Sequence, residues 1–153
     1  MSLLNQQAPN FTLENEKGQQ VSLSDFKGKN VVLYFYPKDM TPGCTREACD
    51  FRDAYEDFSS LNAVILGVSM DEANKHTKFI EKHGIPFSLL VDAEHEVAEK
   101  YGVWVLKKMY GREYMGIERS TFLINEEGIV IAEWRKVKVK NHIEAVLSQL
   151  KGE

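Results

Sequence analysis

Apolar positions along the chain fall into short β-branched or aromatic runs that alternate with amphipathic stretches. Phe11–Leu13 and Val21–Leu23 flank Asn15–Gly18, the composition of a small hairpin. Val31–Tyr36 is an unbroken apolar run of the kind a strand buried on both faces needs, and Pro37 ends it. Pro42 and Gly43 mark a turn. Beyond it Cys44, Ala48, Phe51, Tyr55 and Phe58 recur at three- and four-residue intervals, predicting one helix over Cys44–Ser60. Ala63–Ser69 predicts a second buried strand, Asp71 to about His83 a helix, Phe87–Val91 a third strand and Glu94–Tyr101 a short helix. Thr121–Ile124 and Ile129–Trp134 surround Asn125–Gly128, a hairpin signal with Gly at the turn exit. Asn141 is placed to cap a last helix carrying Ile143, Val146, Leu147 and Leu150.

Alternation of strand and helix in the middle of the chain implies parallel strands joined by right-handed crossovers, with the late hairpin adding an antiparallel edge. That order resembles a thioredoxin-like α/β sandwich: a central mixed β-sheet flanked by helices, with an N-terminal β-hairpin extension. No linker, repeat or low-complexity stretch divides it, and 153 residues suit a single domain over 1–153.

Charge and composition narrow the partners. A net charge of −4 and a pI near 5.6 argue against nucleic acid and anionic membranes. The one basic run, Arg135, Lys136, Lys138 and Lys140, alternates with Val137 and Val139 and reads as the solvated face of an extended segment. The N-terminus has no basic region ahead of an apolar stretch, and no run reaches the roughly 20 apolar residues of a membrane span. A cytoplasmic protein is expected. In a reducing compartment its two cysteines, Cys44 and Cys49, matter for reactivity rather than as a staple.

A thiol attacks as its thiolate, and a free cysteine titrates near about 8.5. Cys44 follows Thr41-Pro42-Gly43 at the expected start of a helix, where unpaired N–H groups and the helix dipole favour negative charge. The Thr41 hydroxyl is within reach of the sulfur or of an incoming peroxide oxygen, and Pro37 is placed to shield the site from bulk water. Arg119 is the candidate cation: a parallel pairing of Thr121–Ile124 with Val31–Tyr36 is expected to bring it close.

Pro37-Lys38-Asp39-Met40-Thr41-Pro42-Gly43-Cys44 matches the P-x-x-x-T-x-x-C signature of peroxiredoxins. The stretch Tyr36-Pro37-Lys38 through Cys49 resembles the bacterioferritin comigratory protein, or peroxiredoxin Q, subfamily, as do Ala8-Pro9-x-Phe11, Tyr101-Gly102-Val103-Trp104 and Gly116-Ile117-x-Arg119-x-Thr121-Phe122-Leu123-Ile124. The resemblance covers nearly the whole chain. It implies a peroxide site made by Thr41, Cys44 and Arg119 under Pro37, a hydroperoxide substrate, a Cys44 sulfenic acid resolved by Cys49, and thioredoxin as electron donor. Glu47, where some relatives carry Gln, is placed to orient Arg119. Residues five apart on a helix have Cα atoms about 8–9 Å apart, whereas a disulfide spans at most about 7 Å. A Cys44–Cys49 bond therefore requires the helix start to unwind. Resolution within one chain needs no second subunit, so a monomer is expected.

Other readings are weaker. A dithiol–disulfide oxidoreductase usually carries Cys-x-x-Cys, which is absent. A non-catalytic binding module on the same fold predicts no rate loss in Cys44→Ser, where an enzyme predicts near-complete loss, and the fold alone does not separate them. There is no phosphate loop or dinucleotide fingerprint, and no cofactor is expected. His76 and His83 are expected at the surface. Trp104, Met109, Tyr110 and Tyr114 read as a packed loop or as an apolar rim beside the peroxide pocket.

Overall fold

The computed structural model describes residues 2–152. Nine strands and five helices follow in the order β1 (Thr12–Glu14), β2 (Gln20–Ser22), β3 (Asn30–Phe35), α1 (Pro42–Asp53), α2 (Tyr55–Ser60), β4 (Ala63–Ser69), α3 (Ala73–His83), β5 (Ser88–Val91), α4 (Glu96–Lys100), β6 (Trp104–Met109), β7 (Arg112–Ile117), β8 (Ser120–Ile124), β9 (Val130–Trp134) and α5 (His142–Leu150). Seven strands make one mixed sheet in the order β2-β1-β5-β4-β3-β8-β9, while β6 and β7 form a separate two-stranded sheet.

The central strand β3 shows why its sequence is apolar throughout. Val31, Leu33 and Phe35 enter a core with Phe122, Tyr101 and the α4 residues Val97 and Ala98. Val32 and Tyr34 point to the opposite core, beneath Cys44, Ala48 and Phe51 of α1, Phe58 of α2 and Phe79 of α3. Side chains alternate across a strand, and helices or chain cover both faces, so neither set tolerates polarity. Gly67 on β4 is part of this packing. A Cβ there would stand 2.7 Å from Leu89 Cδ2 and 2.9 Å from the Tyr34 ring. Gly67→Ala is expected to destabilise the protein by about 1–3 kcal/mol through overpacking; an unchanged urea midpoint would refute that.

Several expectations need correction. Strand β8 neighbours β3 as anticipated, but the pairing is antiparallel, Phe35 opposite Ser120 and Val31 opposite Ile124. Only that direction sets the start of β8 beside the end of β3. The expected single helix breaks at Ala54 (φ −99°, ψ 5°), so the buried Phe51 and Phe58, with ring centroids 5.9 Å apart, come from two helices. Residues Trp104–Ile117 are a hairpin rather than a loop, joined by Tyr110 and Gly111 with φ of +52° and +78°, the two positive values that a tight two-residue turn requires. Asn141 precedes α5 as expected, but at φ +62° and without a side-chain capping bond. The Arg135–Lys140 run is irregular chain, although Lys136, Lys138 and Lys140 are exposed and Val137 and Val139 half-buried, as the alternation implied.

Candidate active site

The site is assembled where β3 runs into α1. Tyr36 extends β3 by one more bond, its N–H donating to Val68 O at 3.1 Å. Residues 37–41 then turn the chain, with Met40 at φ +67° and Thr41 extended (φ −87°, ψ 152°) as the N-cap of α1. Pro42 occupies the first helical position, where its missing N–H costs nothing. Thr45 N–H closes the first turn on Thr41 O at 2.9 Å. Cys44 therefore lies in the first turn of α1, 2% exposed, at the positive end of the helix.

Arg119 approaches from β8. Its Nη2 donates to Cys44 Sγ at 3.4 Å and its Nη1 to Glu47 Oε1 at 2.7 Å. A Cβ at Gly43 would stand 3.1 Å from Arg119 Nη2, so glycine there leaves room for the guanidinium. Burial works against the charge of Arg119, but Glu47 and Cys44 outweigh it and hold its pKa above the ordinary value. Half-buried Lys107 faces the same group. Its chain passes over Gly116, where a Cβ would lie 3.3 Å from Lys107 Cδ, and burial followed by Arg119 lowers its pKa. His142, hydrogen-bonded through Nε2 to Thr121 Oγ1 at 2.8 Å, is pushed down to about 4 by burial and then by Arg119.

Glu47 is fully buried, and its Oε2 has no hydrogen-bond partner among the described residues. Burial, opposed by Arg119, pushes its pKa from 4.5 up to about 7. Between those values the folded protein binds more protons than the unfolded chain, so stability falls as pH rises through this window. The contribution is complete below pH 4.5 and lost above about 7. Glu47→Gln, which keeps an oxygen for Arg119, is expected to flatten that dependence and gain about 2–3 kcal/mol on wild type between pH 5 and 8. Urea melts at both pH values test this, and parallel wild-type and variant curves would contradict it.

The structure brings Cys44 and Arg119 together as the sequence suggested. Glu47 holds Arg119. Half-buried Pro37 lies in the same strand-to-helix turn. Thr41 differs from expectation: its hydroxyl donates to Lys38 O at 2.8 Å. Its single hydrogen is thus committed away from the sulfur, leaving the oxygen's lone pairs to accept. Cys49 lies further along the intact α1, partly buried, and both cysteines are free.

His76 is the clearest correction. Rather than lying at the surface, it is fully buried, with Nδ1 2.6 Å from Asp39 Oδ2 and Nε2 3.0 Å from Leu90 O. Asp39, also buried, accepts from Tyr36 Oη at 2.5 Å through Oδ1. The signal was present in the sequence: His76 stands one turn before the core residue Phe79 on α3, on the helix's buried face.

A buried thiol at a helix N-terminus is thus hydrogen-bonded by an arginine that a carboxylate orients. Residues 4–133 match the AhpC/TSA family model, and the chain belongs to that family. Within it the chain falls among the peroxiredoxins of the Bcp, or peroxiredoxin Q, type. It is 63% identical to peroxiredoxin Bcp of Bacillus subtilis over 97% of this chain and 94% of that one. Peroxiredoxin Bcp of Escherichia coli is 43% identical over 94% of this chain and 92% of its own. A solved structure of the Xanthomonas campestris bacterioferritin comigratory protein, studied for alkyl peroxide reduction, superposes with a TM-score of 0.89 at 44% identity, covering 93% of this chain and 90% of that one. The fold is thioredoxin-like and the protein is a peroxidase.

Proposed function

We propose that Cys44 is the residue oxidised by peroxide and that Cys49 resolves it within the same chain. The Cys44 thiolate attacks the terminal oxygen of a hydroperoxide and the O–O bond breaks. The sulfur becomes a sulfenic acid, and the departing alkoxide or hydroxide takes a proton to leave as alcohol or water. The observation that carries this reading is Arg119 spanning Cys44 Sγ and Glu47, at 3.4 and 2.7 Å. That guanidinium neutralises the thiolate and aims N–H donors at the oxygens on which charge develops. Thr41 accepts the hydrogen of the peroxide O–H, since its own is held by Lys38 O. Pro37 limits access of water.

The Cys49 thiol then attacks the sulfenic sulfur, expelling water and forming the disulfide. With both cysteines in one intact helix, α1 has to open for this step. A dithiol donor, thioredoxin by the family resemblance, restores both thiols. Alkyl peroxide reduction by the Xanthomonas relative supports organic hydroperoxides as substrates beside hydrogen peroxide. A monomer in the cytoplasm suits a cycle completed within one chain; no helix among the described residues is long and apolar enough to cross a membrane.

The test is a coupled assay with thioredoxin, thioredoxin reductase and NADPH. The expected result is one NADPH consumed per peroxide, with turnover abolished in the Cys49→Ser protein. A wild-type protein that forms its disulfide yet draws no NADPH would overturn the thioredoxin assignment.

A further inference from the structure

The turn that carries Pro37 and Thr41 is tied to the body of the protein by a buried polar cluster outside the chemistry above. Asp39 is 1% exposed and His76 0%. Leu90 O can only accept, so the His76 Nε2 that faces it at 3.0 Å carries a hydrogen. The opposite ring nitrogen meets Asp39 Oδ2 at 2.6 Å, a contact that needs a further proton between the two groups. Tyr36 Oη donates to Asp39 Oδ1, so both carboxyl oxygens of Asp39 are engaged. The Asp39 N–H donates in turn to Asp71 Oδ2 at 2.6 Å. Both the side chain and the backbone of Asp39 are thereby pinned, to α3, to β5 through His76, and to the segment ahead of α3. Two residues on, Thr41 closes the turn through Lys38 O.

The geometry points to Asp39 and His76 as positioning residues for peroxide reduction: they anchor the Pro37–Thr41 turn so that it keeps its shape while the first turns of α1 open. The idea rests on the unwinding proposed above. Disulfide formation needs Cys44 to move, whereas the next peroxide needs Thr41 and Pro37 where they were. A fixed point upstream of Thr41 and a helix that opens downstream of it meet both requirements. Among the described residues Cys44 itself makes a single side-chain hydrogen bond, to Arg119. A misplacement of about 1 Å in such a turn costs up to about 100-fold in rate, which is the reason for tying it to a buried hydrogen-bonded cluster.

Two variants separate the anchoring bonds from the carboxyl group itself. Asp39→Asn replaces the carboxyl group but keeps every bond: the amide N–H donates to His76 Nδ1, its oxygen still accepts from Tyr36, and Nε2–H stays on Leu90 O. Asp39→Ala/His76→Leu removes both partners and their bonds together, so that neither is left buried without the other. The first readout is the single-turnover rate of the reduced proteins with hydrogen peroxide. We expect Asp39→Asn within about threefold of wild type and the double variant slowed at least about tenfold, with both folded by circular dichroism. The second readout is amide exchange of the disulfide forms, in which the Asp39 N–H stays protected in wild type and Asp39→Asn and exchanges in the double variant. A double variant that reacts at the wild-type rate and protects the Asp39 amide would overturn the assignment, as would an Asp39→Asn protein slowed as much as the double variant. Should wild-type α1 keep its protection in the disulfide form, the unwinding fails instead, and the rates of the reduced proteins still decide the anchor.

Discussion

Cys44→Ser is expected to abolish peroxide reduction, and Arg119→Met to lower the rate of Cys44 oxidation by about 10²–10³-fold. The first follows from chemistry, since a serine hydroxyl is not ionised near neutral pH and cannot carry the sulfenic oxygen. The second follows from geometry. Arg119 is the only side chain hydrogen-bonded to Cys44 Sγ among the described residues, at 3.4 Å, and it lies within a buried site where a charge–charge contact is weakly screened. Removing it also strands Glu47, whose Oε1 loses its 2.7 Å partner while Oε2 already has none. A buried carboxylate without a counterion is costly, and Glu47 then holds its proton to still higher pH. The informative comparison is therefore Arg119→Met in a Glu47→Gln background, which loses the guanidinium without leaving a bare charge. Stopped-flow oxidation with hydrogen peroxide checks it. A loss below about threefold would mean that the guanidinium does not act on the reacting oxygens.

The second large effect concerns α1. Oxidation to the Cys44–Cys49 disulfide is expected to strip amide protection from the start of the helix, whereas the reduced protein retains it. Two positions five apart on a regular helix stand about 8–9 Å apart at Cα, beyond the reach of a disulfide. The fold makes the opening affordable at one end only. Phe51, fully buried against the Tyr34 ring at 4.8 Å between centroids, fixes the later turns. The first turn places one side chain, Cys44, in the core, and is held besides by the Thr45 bond to Thr41 O and by the Arg119 contact. Exchange is expected to rise over residues 43–49 and to change little beyond Phe51. Identical exchange in the two forms would show that the bond is made without melting the helix.

How far the sequence foretold this structure differs from element to element. The strand Ala63–Ser69 was legible to the residue because its apolar run is bounded by Asn62 and Met70-Asp71 and buried on both faces. The hairpin β6–β7 was not, because Leu106, Met109 and Met115 stay exposed and leave no alternation to read; its turn rests on positive φ at Tyr110, a residue that does not announce it. The direction of β8 was misread by extending the parallel rule past the point where helices stop intervening: β8 follows a hairpin, and nothing imposes a crossover. At the site, the motif singles out Cys44 and Arg119, which the fold brings to 3.4 Å. The spacing sets Thr41 within reach of the sulfur, but the Lys38 carbonyl that takes its hydrogen is visible only once the turn is folded. His76 was missed because a histidine is judged by its neighbours in sequence, and its partners Asp39 and Leu90 lie 37 and 14 residues away.

The central claim is that Cys44 reduces the peroxide and Cys49 resolves the product. The most direct measurement mixes reduced wild type and Cys49→Ser with one equivalent of hydrogen peroxide in a stopped-flow instrument and follows each by intact mass. The account predicts that both react far faster than a free thiol, wild type losing two hydrogens and the variant gaining one oxygen. A wild-type protein that reacts no faster than free cysteine, or a Cys49→Ser protein that gains no oxygen, would contradict it.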